Sequence, residues 1–181
     1  VSALEEMGDR PGLASAYHNL GLSIFQMEDY SAAEEWFQRS LEVERELGDV
    51  AGMAATFHQL GMVSQVRGRI ALAEAYYEQS LRWSQEVGLR PEIGSTLSQL
   101  GFLYWSQGDQ TKALEFQLRA LATRLEMASS EAWRNVAWLH DRLDEQGEEA
   151  FRARLAKYLD LDSIENLLSA IESLPRESAA G

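Results

Sequence analysis

The sequence predicts an all-α fold, a right-handed α-solenoid in which antiparallel helix pairs stack on one another. Three observations predict it. The same residues recur at a spacing of 40, each unit carries two apolar stripes of helical period, and a short polar or glycine-containing break separates the two stripes. Since neither helix of a pair can bury its stripe alone, neighbouring pairs must complete the core.

Small residues at fixed offsets mark the repeat. The recurring positions are Leu20-Gly21, Leu60-Gly61 and Leu100-Gly101, then Ala33, Ala73 and Ala113, then Ser40-Leu41, Ser80-Leu81 and Ala120-Leu121. A glycine inside a helix costs about 1 kcal/mol relative to alanine. We therefore expect the partner helix to cross at each glycine too closely for a Cβ, with the alanines as the matching small contacts.

The first unit illustrates the two helices. We predict the first helix over about residues 12–27, where an apolar stripe of helical spacing is formed by Leu13, Tyr17, Leu20 and Ile24. After the break at Glu28-Asp29, the stretch Ser31-Ala-Ala-Glu34 has the form of a capping box and predicts the start of the second helix. Gly48 stands where a left-handed residue would end that helix.

Three complete units are predicted over residues 8–47, 48–87 and 88–127. Residues 1–7 align with 41–47, so we expect them to be the tail of a truncated preceding repeat in a fragment of a longer protein. Residues 128–161 predict a degenerate fourth helix pair, and 162–174 predict a C-terminal capping helix. Residues 175–181 predict a disordered tail.

An aromatic-x-x-Leu-Gly pattern followed by alanine, an aromatic residue and alanine or serine resembles the tetratricopeptide repeat (TPR). The residues that carry it are Tyr17, Leu20, Gly21, Ala33, Phe37 and Ser40 in the first unit, Phe57, Leu60, Gly61, Ala73, Tyr77 and Ser80 in the second, and Leu97, Leu100, Gly101, Tyr104, Ala113 and Ala120 in the third. The sequence departs from the family in its 40-residue period, where about 34 is usual, and in Gln117, where an aromatic is usual. The longer repeat is similar to those of Pins-type adaptors and of bacterial nucleotide-switch (STAND-type) regulators.

The resemblance implies a TPR superhelix whose first helices line a concave groove that binds a partner. Carried over residue by residue, the groove positions are Ser15, His18, Asn19, Leu22, Phe25 and Gln26, then Ala55, His58, Gln59, Met62, Gln65 and Val66, then Ser95, Ser98, Gln99, Phe102, Trp105 and Ser106. None is charged, in a chain that is 25% charged. This predicts that a largely neutral or apolar segment packs there, as in peptide recognition by a groove. The alternative is that the first helices are simply a buried inner layer.

His18 and His58 hold equivalent places on neighbouring first helices. Packed helices lie about 8–10 Å apart, whereas zinc ligands approach to about 2 Å, and the chain has no cysteine. We therefore expect no metal site. Hydrogen bonding to a partner and simple filling of space both remain open for these histidines.

Composition disfavours several classes of function. A net charge of −13 disfavours binding to nucleic acid and to anionic membranes. Phosphate-binding loops, nucleophile elbows and zinc-protease helices are absent from the sequence, so we expect neither catalysis nor a cofactor. The lack of cysteine is typical of the reducing cytoplasm.

The predicted function is a non-catalytic protein- or peptide-binding scaffold or sensor within a cytoplasmic, bacterial regulatory protein. By the same resemblance, we expect a nucleotide-switch or other effector domain upstream. One alternative is self-association, with the groove filled by another copy or by the chain's own C-terminal helix. A further alternative is an accessory domain that binds a small signal molecule.

Overall fold

The computed structural model describes residues 2–157 and 159–172, and the ordered elements in this part of the chain are all helices. They are α1 (Ser2–Met7), α2 (Arg10–Gln26), α3 (Tyr30–Leu47), α4 (Val50–Val66), α5 (Ile70–Val87), α6 (Arg90–Ser106), α7 (Gln110–Glu126), α8 (Ala132–Gln146), α9 (Glu148–Leu155) and α10 (Leu161–Glu172). The predicted tail over 175–181 lies outside the described residues, as do residues 173 and 174 of the predicted capping helix.

The helices pair as the repeat predicts and form an α-solenoid. The pairs are α2 with α3, α4 with α5, and α6 with α7, and each second helix packs on the first helix of the next pair. First helices also contact one another, α2 with α4 and α4 with α6, whereas the described second helices have at most sparse contact with each other. The first helices therefore form the inner layer, and their accessible side is the concave one.

Aspartates, rather than the predicted capping box, begin four of the six helices in the three repeat pairs. The Asp9, Asp29, Asp49 and Asp109 carboxylates each accept a hydrogen bond from the backbone N–H three residues later, at 2.9–3.1 Å. The capping-box prediction was wrong, because α3 already begins at Tyr30 and Ser31 lies inside it. Glu34 instead pairs with Arg67 and Arg69 of the next unit, at 2.6 and 2.8 Å.

The repeated glycines make room for a side chain of the second helix. A Cβ on Gly61 would lie 2.5 Å from Tyr77 Cε1, and one on Gly21 would lie 2.6 Å from Phe37 Cε1. At Gly101 the neighbour is the Gln117 amide, at 2.7 Å. The expectation that no Cβ fits is confirmed. The closest atoms to each glycine belong to this side chain, however, and not to the predicted alanine.

Left-handed residues end the helices, and two of them are not glycine. Gly48 has φ of 66°, which confirms its predicted role. Glu28, at the repeat position of Gly68, has φ of 63°, and Ala128, at the repeat position of Gly48, has φ of 50°. These two residues hold a backbone conformation that costs an L-residue about 1–2 kcal/mol.

The last helices close the apolar core of the third unit. Trp138 and Leu139 of α8, Phe151 and Leu155 of α9, and Ile164 and Leu168 of α10 join one buried cluster with Leu114 and Leu118 of α7. The helix α10 packs on α8. The predicted fourth pair thus corresponds to α8 and a shortened α9.

Candidate partner-binding groove

The accessible side of α2, α4 and α6, called here the groove face, carries the predicted groove residues. Ser15, Asn19, Gln26, Val66, Phe102 and Ser106 are exposed, Ser98 is buried, and the part-exposed set is His18, Leu22, Phe25, Ala55, His58, Gln59, Met62, Gln65, Ser95, Gln99 and Trp105. Two rows run along this face at the repeat spacing. Asn19, Gln59 and Gln99 form a row of amides, and Leu22, Met62 and Phe102 form an apolar row.

The two histidines link neighbouring units. His18 Nδ1 lies 2.9 Å from Thr56 Oγ1, and His58 Nδ1 lies 2.9 Å from Thr96 Oγ1. Burial lowers the pKa of both imidazoles, that of His58 to about 4. They are therefore neutral at pH 7 and form hydrogen bonds between first helices, a role the sequence did not suggest. Among the described residues, no three His, Cys, Asp or Glu side chains cluster as metal ligands would.

Behind the groove face, one repeat position changes its charge from unit to unit. We call residues 44, 84 and 124, near the end of each second helix, the junction position; its occupants are Glu44, Ser84 and Arg124, and all three are buried. Glu44 Oε1 accepts hydrogen bonds from Ser40 and Thr56, both at 2.8 Å, while Oε2 has no partner in the described part of the chain. Burial raises the pKa of Glu44.

The arginine of the third junction sits in a polar network. Arg124 Nη1 donates to Ser98 Oγ at 2.8 Å and also to Asn135 Oδ1 of α8. Asn135 in turn donates to Gln117 Oε1 at 2.6 Å, and Gln117 donates to the Ser98 carbonyl at 3.1 Å. The departure of Gln117 from the usual aromatic is thereby explained, because an amide here completes the network.

Gly94 accommodates the larger side chain at this junction. The equivalent residues of the first two units are Ala14 and Ala54. A Cβ on Gly94 would lie 3.3 Å from Arg124 Cγ, which is closer than an ordinary contact. The larger side chain at position 124 of α7 is thus matched by a smaller residue at position 94 of α6.

A pocket of about 300 Å³ opens where the third unit meets α8, and we call it the end pocket. Its lining includes Met62, Ser98, Phe102, Arg124, Glu131 and Arg134. The charged members come from α7, from α8 and from the turn between them. These charged residues lie outside the first helices and were not among the predicted groove residues, although the sequence does show that positions 44, 84 and 124 differ.

Helix α8 also covers one end of the groove face. Phe102 and Trp105 meet Trp138 edge to face, with ring centroids 6.4 and 5.4 Å apart. The Arg142 guanidinium lies over the Trp105 ring, 4.6 Å from its centroid. Trp105 is therefore largely committed to packing within the chain, while Phe102 remains 40% exposed.

Comparison with known proteins identifies the repeat. Two models of the tetratricopeptide repeat match the chain, one over residues 13–50 and the other over 52–126. The chain belongs to the tetratricopeptide-repeat family. Repeats of this family generally mediate protein–protein interaction and are typically non-catalytic. A search of curated proteins gives no match.

The TPR fold is also found among solved structures. The crystal structure of BtubC (BKLC) from P. vanneervenii is similar to 95% of this chain and 70% of that one, with a TM-score of 0.70 and 21% sequence identity. At this identity the likeness establishes the fold alone. Within the described residues, no TPR or terminal helix has both the length and the apolar character needed to cross a bilayer.

Proposed function

We propose that this TPR array is a non-catalytic scaffold or sensor that binds a largely neutral or apolar polypeptide segment on its groove face. The observation that carries the proposal is the pairing of two accessible rows on an uncharged surface. Amides at 19, 59 and 99 can bond a peptide backbone, while the neighbouring apolar row can receive side chains.

Charge distribution supports this choice of face. Residues 11–27, 50–66 and 93–107 contain no Asp, Glu, Lys or Arg, although the chain as a whole carries 45 such residues, 16 basic and 29 acidic. Charged side chains are depleted from the centres of protein interfaces because their desolvation is costly. A neutral concave surface flanked by charged second helices is therefore suited to contact with a partner.

The setting of the scaffold is part of the proposal. By its likeness to the longer repeats of Pins-type adaptors and STAND-type regulators, we place the array in a cytoplasmic, bacterial regulatory protein. There the bound segment would control an effector domain upstream, of the nucleotide-switch or another kind.

An isosteric charge change tests the groove face. A random peptide library displayed with free and blocked carboxyl termini is selected on the wild-type chain, and the peptides are synthesised for calorimetry. The triple variant Asn19→Asp, Gln59→Glu and Gln99→Glu adds three charges without altering side-chain volume. We expect it to lower peptide affinity at least 10-fold, because each carboxylate must be desolvated beneath the peptide.

A matched control places the same charges on the second helices. The variant Gln38→Glu, Gln79→Glu and Gln85→Glu changes three exposed amides away from the groove face, and we expect it to bind as the wild type does. Equal affinity of the two triple variants, with unchanged circular dichroism, would refute the groove assignment. Light scattering on the wild-type chain and the two triple variants tests self-association. If only the groove variant loses a dimer, the occupant of the groove is another copy of the chain.

A further inference from the structure

We infer that the end pocket binds a carboxylate of the partner polypeptide, with the Arg124 guanidinium as its receptor. This inference rests on the proposed function and specifies its ligand. The groove face is neutral along most of its length, and the end pocket adds Arg124 and Arg134 at one end of it. The partner would therefore present a neutral segment followed by an acidic group.

The guanidinium of Arg124 is buried, and its compensation within the chain is incomplete. The residue is 6% exposed, and Ser98 and Asn135 occupy only Nη1. The Nη2 atom forms an ion pair with Glu131 Oε2 at 3.6 Å, which is longer than a hydrogen bond, and Glu131 is itself half-exposed. Burial lowers the pKa of Arg124. A buried cation with donors left over favours a carboxylate, whose two oxygens match a guanidinium fork.

A cation at the junction position is not a general feature of this repeat. The same position is glutamate in the first unit and serine in the second, and both side chains are buried there. At the third unit the chain has an arginine, a glycine in place of alanine at 94, and a glutamine in place of an aromatic at 117. Three coordinated departures at one junction create a polar, positively charged floor beneath an open pocket.

The rest of the pocket gives the site its selectivity. The charged residues that line the pocket are Arg124, Arg134 and Glu131. Since His58 is neutral, the lining carries two positive charges and one negative charge. Met62 and Phe102 border the same space. A carboxylate bound at Arg124 would thus have an apolar neighbour in the ligand, and Glu131 would disfavour ligands with several adjacent negative charges.

Peptides selected as above provide the test, because the acidic group can be changed in the ligand without altering the protein. Each peptide is compared with versions that carry Glu→Gln or Asp→Asn at one position, or an amidated carboxyl terminus. We expect one such change to weaken wild-type binding at least 30-fold, about the cost of removing one partner of a buried charge pair. The position that responds distinguishes a side-chain carboxylate from a terminal one.

A double-mutant cycle locates the receptor. In the Arg124→Gln variant, the same peptide change should have little further effect, whereas in Arg119→Gln it should cost as much as in the wild type. Arg119 is a suitable control because it lies on the same helix, is exposed and pairs with Glu115 rather than with the pocket. Melting temperatures establish that both variants are folded.

The outcomes separate this inference from the proposed function. If selected peptides bind through the groove face but no acidic change weakens them, or if such an effect persists in Arg124→Gln, the carboxylate site is refuted and the scaffold stands. If no selected peptide binds the wild-type chain, both are refuted. If Arg124→Gln does not fold, the Arg134→Gln variant is measured with the same acidic and neutral peptides. A modest loss of affinity that is confined to the acidic peptide supports the site, and equal losses for both peptides overturn it.

Discussion

His58 Nδ1 and Thr96 Oγ1 lie 2.9 Å apart, and this hydrogen bond joins the first helices of two successive repeats. Thr96 also lies 3.1 Å from Ser80 Oγ, so the imidazole ends a buried polar chain that crosses the interface between units. Burial holds the pKa of His58 at about 4, well below its ordinary value of 6.5. The contact between repeats is therefore sensitive to pH.

Acidification should weaken the array through this histidine. Because the folded-state pKa is depressed, the unfolded chain binds the proton first, and stability is fully present above pH 6.5 and declines as the pH falls toward 4. For one proton, the free energy of unfolding falls by up to about 1.36 kcal/mol per pH unit, and by about 3 kcal/mol in total. Urea unfolding of wild type and His58→Gln at pH 7.5, 6 and 5 measures it. A constant difference between the two proteins across this range would contradict the prediction.

Glu44 should make stability depend on pH in the opposite direction to His58. Its folded-state pKa is raised, so it destabilises the fold as the pH rises above its ordinary value of 4.5. We expect Glu44→Gln to stabilise the chain at pH 7 by on the order of 1 kcal/mol, since the amide retains an acceptor for Ser40 and Thr56 without a buried charge. The gain should disappear near pH 4. Unfolding at both pH values measures it, and Glu42→Gln, on the exposed side of α3, is the control.

The left-handed residues Glu28 and Ala128 offer a direct gain in stability. Substitution of either by glycine should raise the free energy of unfolding by about 1 kcal/mol, because glycine adopts positive φ without the steric cost of a Cβ. Glu35→Gly provides the contrast, since an exposed glycine within α3 should lower stability by about 1 kcal/mol. Denaturant titration distinguishes the three variants, and a loss at position 28 would show that its side chain has a stabilising role.

Gly61 should not tolerate even a methyl group. The added Cβ would lie 2.5 Å from the buried Tyr77 ring, so Gly61→Ala should cost about 1–3 kcal/mol despite the higher helix propensity of alanine. In the Tyr77→Leu background, the same substitution should be much less costly, because the ring is gone. A thermodynamic cycle of the four proteins gives the coupling, and additive effects would contradict the close packing.

Repetition made most of the fold predictable. The 40-residue period located the three helix pairs within a few residues, and Gly21 and Gly61 correctly indicated places without room for a Cβ. The start of α3 was misjudged because Ser31 and Glu34 have the spacing of a capping box, whereas the residue that caps the helix is Asp29, two residues earlier, which accepts a hydrogen bond from the Ala32 N–H. Local spacing cannot show that Glu34 is engaged by Arg67 and Arg69 of the following unit.

The site was less accessible to sequence reasoning. The rows on the groove face follow from helical periodicity, so their residues could be listed in advance, although their role in binding stays a prediction. Arg124 could not be placed in the same way, because it lies on a second helix and reaches the pocket through the gap that Gly94 leaves. The bonds from His18 and His58 to threonines 38 residues later depend on how two units stack, which no single unit encodes.

The unequal junction position has a consequence for how such an array could evolve or be engineered. An acid, a neutral hydroxyl and a base occupy it in turn, and the acid and the base bond to different residues of the following helix, Thr56 and Asn135. The repeats are therefore not interchangeable, since shuffling or duplicating one would place its buried polar group in an interface that lacks its hydrogen-bond partners. The three repeats share one backbone architecture, but their order along the chain is specified by buried residues at the interfaces between them.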